Sequence, residues 1–159
     1  MAEWRRHIRE GRSADIGAMI ELFRASVRII ARHDYSEEQV LAWAPDVIDP
    51  VAWDAKYRDR QAWVVVVDGG LAGFADLEPD GHLDMMYVDP HRQGCGVGTA
   101  LLHRVERGAR ALDLRHLYTE ASITARPFFE RRGFDLVTPQ TVHVRGQDLI
   151  NFRMRKELR

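Results

Sequence analysis

The sequence predicts an α/β fold, with one mixed, mostly antiparallel sheet of about six to seven strands and helices on both of its faces. Three observations support this prediction: an early apolar stripe at helical spacing, a continuous apolar run from Ala62 to Val67 that ends in four β-branched valines, and alternating strand and helix patterns after Pro90. The 159 residues show no internal repeat and no linker, so we expect one domain over 1–159.

Caps, prolines and turn residues set the expected element boundaries. Ser13 is placed to cap the first helix, and Ser36 with Gln39 has the spacing of a capping box that starts the second. That helix ends before Pro45, because the residue preceding a proline avoids helical geometry. The predicted helices cover 13–30, 36–44, 50–59, 101–112 and 125–132, and the predicted strands cover 7–11, 62–67, 71–77, 83–88, 117–121, 134–145 and 149–154, with 146–148 as the last turn.

Composition excludes several function classes. The formal net charge is −1, so no global field favours nucleic acid or an anionic membrane as a partner. Cys95 is the only cysteine, which rules out an intrachain disulfide and agrees with a reducing compartment. Residues 1–9 carry charge every few positions, and no stretch is apolar enough to span a membrane. We therefore expect no secretory signal and a cytoplasmic protein.

A glycine-rich turn joins a predicted strand to a predicted helix between Val88 and Gly98. The start of a helix exposes unpaired backbone N–H groups and the positive end of the helix dipole, and glycines let a ligand approach them closely. Such a nest suits a pyrophosphate. A dinucleotide fingerprint would need a glycine where Thr99 stands, and a P-loop would need a lysine that this turn lacks. Considered alone, the turn is as compatible with a structural role as with binding.

The turn and its flanks resemble the acetyl-CoA motif of the GCN5-related N-acetyltransferase (GNAT) superfamily. That motif, Gln/Arg-x-x-Gly-x-Gly/Ala after a strand ending in Val-x-Pro, stands here as Gln93-Gly94-Cys95-Gly96-Val97-Gly98 after Val88-Asp89-Pro90. A second and weaker element, Asn-x-x-Ala followed by Gly-Phe, stands as Ser122-Ile123-Thr124-Ala125 and Gly133-Phe134. The order of elements is similar over nearly the whole chain.

The resemblance implies an N-acetyltransferase that moves an acetyl group from acetyl-CoA to a primary amine of a small molecule or peptide, by direct attack in a ternary complex. The alternative is a non-catalytic acetyl-CoA-binding or sensor module. By resemblance, the backbone amides from Gln93 to Gly98 hold the pyrophosphate, and an amide of Tyr87 or Val88 polarises the thioester carbonyl. The residues implied in donor binding are Met86, Tyr87, Val88, Gln93, Gly94, Cys95, Gly96, Val97, Gly98, Thr99, Ser122 and Phe129.

Ionisable residues near the implied site are candidates for a general base, which is needed because an amine with a pKa near ~10 is mostly protonated at neutral pH. Relatives often place a general base on this strand, four or six residues before the valine, so the resemblance implies Asp84 and His82 as base candidates, which strand alternation places on one face. The alternative is that both only occupy a wet hairpin end. Glu120 lies in an otherwise apolar strand. Three roles fit it: a general base, a residue that binds the acceptor amine, or one partner of a structural ion pair. The residues expected in catalysis are His82, Asp84, Glu120 and Tyr118.

Phe129 departs from the family, in which a tyrosine at this position commonly protonates the leaving thiolate. Either another hydroxyl serves, with Tyr87, Tyr118 and Ser122 as candidates, or the thiolate leaves unprotonated, which a thiol pKa near ~8.5 allows. Ser122 also replaces the asparagine of the second motif.

The acceptor side is less defined by the sequence. Tyr35 lies beside a helix start in the region that lines acceptor pockets in relatives, so we expect it to bind the acceptor together with Glu120, while Trp43 and Trp53 are expected in the core. Cys95 is expected to face outward as a passive residue. The seven histidines show no metal-binding spacing, so no metal is expected. A homodimer is compatible with the sequence.

Overall fold

The computed structural model describes residues 6–159 of the chain. Helices and strands follow the predicted order, and the α/β fold class is confirmed. No helix within 6–159 is long and apolar enough to cross a membrane. The expectation of no secretory signal concerns 1–9 and lies partly outside the described residues. The strands are β1 (Arg6–Glu10), β2 (Gln61–Val67), β3 (Gly70–Leu77), β4 (Met86–Val88), β5 (His116–Ser122), β6 (Asp135–Val144) and β7 (Gln147–Glu157), and the helices are α1 (Ile16–Ile29), α2 (Glu37–Trp43), α3 (Pro50–Lys56), α4 (Val97–Ala111) and α5 (Arg126–Glu130).

The strands form two sheets where the sequence predicts one. The first has the order β1-β2-β3-β4 and the second β5-β7-β6, and neighbouring strands are antiparallel. The sheets touch where the Leu83 amide donates to the Tyr118 carbonyl at 2.9 Å and the Tyr118 amide donates to the Gly81 carbonyl at 3.1 Å. A parallel bridge pairs His82 with Tyr118 at the same place. Beyond it β4 and β5 belong to different sheets, which leaves a wedge between them.

β2 carries a continuous apolar run because both of its faces are buried. Val64 and Val66 pack in one cluster with residues of α1, α2 and α3, whereas Val65 and Val67 pack in another with residues of α4. Successive side chains of a strand point to opposite faces, so this division places helices on both sides of the sheet. The predicted two-sided arrangement is therefore confirmed.

The chain before β4 departs from strand geometry, which corrects the strand predicted at 83–88. Asp76, fully buried on β3, accepts hydrogen bonds at Oδ1 from the backbone amides of Asp84 and Met85, both at 2.9 Å. Because a side-chain oxygen takes both amides, the regular strand begins only at Met86. The expected alternation of His82 and Asp84 along one strand face is therefore wrong.

Two other predicted boundaries differ from the structure for local reasons. Ser13 does not cap α1, because its hydroxyl donates to Asp54 Oδ1 at 2.7 Å. The last turn is Arg145-Gly146, with φ of 43° and 84°, since a two-residue hairpin turn of this kind needs left-handed backbone at both positions. The capping box of Ser36 and Gln39 is confirmed, with reciprocal bonds of 2.8 and 3.1 Å that start α2.

Candidate active site

β4 presents two backbone amides to the wedge between the sheets. The hydrogen bonds that join the chain at each end of β4 to β3 involve Met85 and Asp89, at 3.0 and 2.8 Å. Tyr87 lies two residues from each, so its amide faces β3 as well. The amides of Met86 and Val88 therefore face the wedge. Of the two amides that the sequence offered for polarising a carbonyl, only that of Val88 has this orientation.

The backbone amides from Gln93 to Thr99 form a continuous run through the end of the loop before α4 and the first turn of that helix. Within 6–159, none of the amides from Gln93 to Thr99 donates to a protein acceptor. Gly94 and Gly96 have φ of 74° and 81°, a left-handed conformation that glycine adopts without strain and that forms concave N–H nests. The positive end of the α4 dipole lies at the same place. These donors fit a pyrophosphate group.

A cleft of about 550 Å³ runs from this loop along β4, and we call it the cationic cleft. Its charged lining, among the described residues, consists of Arg92, Arg131 and Arg132. Arg132 is held in place, because its guanidinium carbon lies 3.7 Å from the centre of the Phe128 ring and its Nη2 donates to Thr99 Oγ1 at 2.6 Å. The predicted donor-binding residues that line it are Met86, Tyr87, Val88, Gln93, Gly94, Gly96, Val97, Gly98, Thr99, Ser122 and Phe129.

A second cleft, of about 690 Å³, lies between α1 to α3 on one side and β6 and β7 on the other, and we call it the aromatic cleft. Its aromatic rings pack on one another: Phe23 lies 4.9 Å from Tyr87, edge to face, and 5.2 Å from Trp53. Apolar and aromatic faces of this kind bind the carbon framework of a ligand and attract ammonium groups. The aromatic lining residues are Phe23, Tyr35, Trp43, Trp53 and Tyr87.

The charged lining of the aromatic cleft is mixed, in contrast to that of the cationic cleft. Asp49, Asp84 and Glu120 contribute carboxylates, and Lys56 and Arg145 contribute cations. A carboxylate is the natural partner of an ammonium group. This cleft therefore has the groups needed to bind an amine, whereas the cationic cleft has those needed to bind phosphates.

The two clefts meet at Trp43, Tyr87 and Ser122, which line both. Ser122 is fixed by a hydrogen bond of 3.0 Å from the Ala125 amide to its hydroxyl. Burial of Tyr87 raises the pKa of its hydroxyl above the ordinary range, so it stays protonated. The two clefts are therefore adjacent at these three side chains.

An ionic network lies behind the aromatic cleft and ends in two of its carboxylates. Glu120 contacts Nε2 of His82 at 2.6 Å, and the other ring nitrogen of His82 bonds to Glu78. Glu78 accepts from Arg60 at 2.6 Å, and the same guanidinium donates to Asp84 at 2.9 Å. His82 does not line the cleft itself, whereas Glu120 and Asp84 do.

The pKa of His82 reflects this position. Burial alone would lower it, but the hydrogen bonds and charges of Glu120 and Glu78 outweigh burial and raise the pKa to about 9. Tyr118 stacks on the His82 ring at 4.7 Å and donates to Asp80, a bond that raises the pKa of its hydroxyl to about 12. Tyr118 lines neither cleft, so its predicted catalytic role loses its support.

Three further predicted positions differ in how they contact the clefts. The Tyr35 hydroxyl is already engaged, since it donates to the Ile150 carbonyl at 2.5 Å and accepts from the Ile123 amide at 3.0 Å. Phe129 lines the cationic cleft but is only 4% exposed. Cys95 is exposed and does not line the cleft, which agrees with the expectation of an outward, passive side chain, while the donor-binding role of its backbone amide stays a prediction.

Several lining residues gave no usable signal in the sequence. The C-terminal part of α1 forms one wall of the cationic cleft, although its apolar stripe indicates only core packing. The hairpin of β6 and β7 forms one wall of the aromatic cleft, and its contribution depends on a fold that brings distant segments together. The residues missed include Ser26, Val27, Ile30, Ala31, Arg92, Phe128, Arg131 and Arg132 in the cationic cleft, and Phe23, Asp49, Lys56, Gln140, Arg145 and Asn151 in the aromatic cleft.

Comparison with known proteins decides the family. The chain matches the family model described as Acetyltransferase (GNAT) domain over residues 31–158. It is 36% identical over 148 residues to the uncharacterized N-acetyltransferase YafP of Escherichia coli (strain K12), which covers 93% of each chain. The chain belongs to the GNAT family.

Solved structures agree with this GNAT assignment. A GCN5-related N-acetyltransferase from Rhodopseudomonas palustris is 34% identical, with a TM-score of 0.92 and 99% of both chains covered. The PaiA N-acetyltransferase of Thermoplasma acidophilum, solved in complex with coenzyme A, shares the fold at 19% identity and a TM-score of 0.79, again over 99% of both chains. The resemblance first seen in the glycine-rich loop is therefore confirmed, and the protein is a GNAT acyltransferase that depends on acetyl-CoA.

Proposed function

We propose that this GNAT protein transfers the acetyl group of acetyl-CoA to a primary amine of a small molecule or peptide, by direct attack in a ternary complex. The observation that carries the proposal is the junction of two unlike clefts at Trp43, Tyr87 and Ser122. One cleft has phosphate-binding chemistry and the other amine-binding chemistry. Holding both reactants on either side of one junction removes much of the entropic barrier to their reaction.

The amides from Gln93 to Thr99 would hold the pyrophosphate of the donor, and Arg92, Arg131 and Arg132 add positive charge around it. The wedge-facing amides of β4 would pair with the pantetheine arm. The Val88 amide would then donate to the developing charge on the thioester oxygen, as a preorganised donor.

The acceptor amine would lie in the aromatic cleft with its nitrogen toward Glu120 and Asp84. Asp84 is partly neutralised by Arg60 at 2.9 Å, whereas Glu120 faces a histidine, so we assign proton removal to the Glu120 side and orientation of the amine to Asp84. Tyr35 contributes its ring to the wall of this cleft and fixes two strands through its hydroxyl.

Direct attack needs no acyl-enzyme nucleophile. Cys95, the only cysteine, is exposed and lies outside both clefts. The thiolate that leaves would be protonated by the attacking nitrogen as it becomes an amide, with the hydroxyls of Tyr87 and Ser122 at the junction as donors of hydrogen bonds.

The test is a screen of acetyl-CoA with primary amines: amino acids, amino-acid amides, diamines, dipeptides and lysine-containing peptides. We expect acetylated product by mass spectrometry together with stoichiometric release of free thiol. Acetyl-CoA binding by calorimetry without acetylation of any amine would instead support a sensor module.

A further inference from the structure

Both ring nitrogens of His82 face carboxylate oxygens. Nε2 lies 2.6 Å from Glu120 Oε2, and Nδ1 bonds to Glu78 Oε2. A neutral imidazole has one N–H, so one of these contacts would set a nitrogen lone pair against an anionic oxygen. The geometry therefore favours the form with a proton on each ring nitrogen. It follows that the neutral ring has a high affinity for a second proton.

The groups around the ring hold it in this orientation. Glu78 is itself fixed by Arg60 at 2.6 Å, so it cannot easily turn away from Nδ1. Tyr118 stacks on the ring with an angle of 11° between the planes and is tied to Asp80. Asp84 adds a further negative charge nearby. The charged groups around the ring are therefore the carboxylates of Glu78, Glu120, Asp80 and Asp84 and the guanidinium of Arg60.

Two carboxylates of this set, Glu120 and Asp84, line the aromatic cleft, and of the two it is Glu120 that bonds to the His82 ring. Glu120 lines the cleft and its Oε2 contacts Nε2 of His82, whereas His82 and Glu78 are not part of the lining. A proton that enters the network from a bound ammonium group at this point meets Glu120 first and Nε2 next.

We infer that Glu120 relays the proton of the acceptor ammonium group to Nε2 of His82, which keeps it while the amine attacks. This role rests on the proposed acetyl transfer to an amine and specifies its proton acceptor. Glu120 touches the substrate and is a catalytic residue. His82 acts through Glu120, and Glu78 is a positioning residue that holds Nδ1–H.

The step balances as follows in atoms and charge. An N–H bond of the ammonium group breaks, its electron pair stays on nitrogen, and the proton bonds to Glu120 and then to the Nε2 lone pair, which turns neutral His82 into an imidazolium. The amine lone pair forms the N–C bond to the acetyl carbon, and the C–S bond breaks with its electron pair on sulfur. The second proton of the nitrogen moves to that sulfur. The His82 proton leaves to solvent before the next cycle.

The relay reduces the difference in pKa between the ammonium group and the group that takes its proton, a difference that is large when a carboxylate acts alone. An isolated glutamate has a pKa of ~4.3 and an alkylammonium group ~10.4, so proton transfer between them is unfavourable by a factor of about 10⁶. His82, with its pKa raised to about 9, reduces that gap to between one and two pH units. General bases work best when their pKa is close to that of the group they deprotonate.

The relay predicts a specific pH dependence. In the productive complex, His82 and the amine together carry one exchangeable proton. The free reactants that form this complex are the enzyme with neutral His82 and the amine as an ammonium ion, so kcat/KM depends on the fraction of each. For an alkylamine we expect a bell-shaped plot of kcat/KM against pH. Its ascending limb lies at pH about 9 and reports His82, and its descending limb lies at the pKa of the amine. For amines whose pKa lies above that of His82, changing the amine should move the descending limb only; for amines with a lower pKa, the amine sets the ascending limb instead.

The experiment uses the best alkylamine found in the screen and its β-fluorinated analogues, in which fluorine lowers the amine pKa with little change of shape. For His82→Gln we expect a loss in kcat/KM of roughly 10²-fold or more with the alkylamine, no enzyme limb in the pH profile, and a progressively smaller loss as fluorination lowers the amine pKa. His116→Gln, the same substitution on β5, should leave kcat/KM and the profile unchanged.

A second readout does not depend on activity. In ¹⁵N-histidine-labelled protein, the His82 ring should titrate well above the ordinary histidine pKa of about 6.5, and Glu120→Gln should lower its pKa. If the wild type transfers acetyl groups and His82→Gln lowers kcat/KM by the same factor for every amine, the relay is overturned, because a purely structural role of His82 would explain that result. A His82 titration at the ordinary pKa would also overturn it. Absence of wild-type transfer would instead overturn the proposed function.

Discussion

Gly98 lies against the ring of Phe128, so closely that a Cβ on Gly98 would come 3.1 Å from a ring carbon. Valine here would push into the cationic cleft, where the backbone must approach the phosphates. We expect Gly98→Val to abolish measurable CoA binding by calorimetry. Gly17→Val is the matched control, because a Cβ on Gly17 meets nothing within 4 Å, and it should bind CoA as the wild type does. Unchanged affinity in a folded Gly98→Val protein would contradict the assignment of this cleft.

Tyr35→Phe should weaken the acceptor side alone. The substitution removes the hydroxyl that joins Ile150 to Ile123 and leaves a backbone amide without its partner, at a cost of about 1–3 kcal/mol in the free energy of unfolding. Tyr35 lines the aromatic cleft and not the cationic one. We expect KM for the amine to rise while the Kd for CoA stays constant. Equal losses in both would show that the two clefts are not independent.

Asp76 gives the stability a pH dependence opposite to that of most aspartates. Burial raises its pKa to about 6 from an ordinary value of 3.8, so the folded state favours the protonated carboxyl. The resulting stabilisation is complete below the unfolded pKa and is lost as pH rises through about 6. Asp76→Asn cannot ionise.

We therefore expect the free energy of unfolding of the wild type to fall, relative to Asp76→Asn, by about 2–3 kcal/mol between about pH 4 and about pH 7. Urea unfolding of both proteins at each pH measures the difference. The exposed Asp59→Asn is the control and should track the wild type. A constant difference between wild type and Asp76→Asn across this range would show that Asp76 does not titrate within it.

Phe129→Tyr tests whether the family's usual acid can be restored. Phe129 packs against Phe134 at 5.0 Å and is almost fully buried, so a new hydroxyl would lack a partner and would lower the free energy of unfolding by about 1–3 kcal/mol. We expect kcat to stay nearly constant, because Tyr87 and Ser122 already stand at the junction. The half-buried Phe128→Tyr controls for the added hydroxyl. A clear rise in kcat below the thiol pKa would show that the missing acid limits the rate.

The parts of the site that the sequence predicts are those encoded by consecutive residues. The glycines of 93–98 can be recognised because left-handed backbone and close ligand approach restrict the residue type, and Gly94 and Gly96 do have left-handed φ. The run from Ala62 to Val67 likewise identifies a strand buried on both faces. In each case the physical requirement acts on neighbouring positions, so the pattern remains visible without the fold.

The parts that the sequence did not predict depend on contacts between distant residues. The strand predicted at 83–88 is shorter in the structure because the buried Asp76 of β3 accepts hydrogen bonds from the amides of Asp84 and Met85. The residues next to position 84 in the sequence do not indicate this long-range contact. Tyr118 is a reasonable acid by position, yet Asp80 draws its hydroxyl away from both clefts. Glu120 was identified as a candidate from its apolar surroundings, but its pairing with His82 required the two sheets to meet.

The most direct test of the central claim, that donor and acceptor react across one junction, is the initial rate of acetyl transfer measured while acetyl-CoA and the best amine are both varied. Direct attack in a ternary complex predicts double-reciprocal lines that intersect, with no acetyl group on the protein by intact mass spectrometry at any stage of turnover. Parallel lines together with an acetylated residue, Cys95 included, would contradict the account.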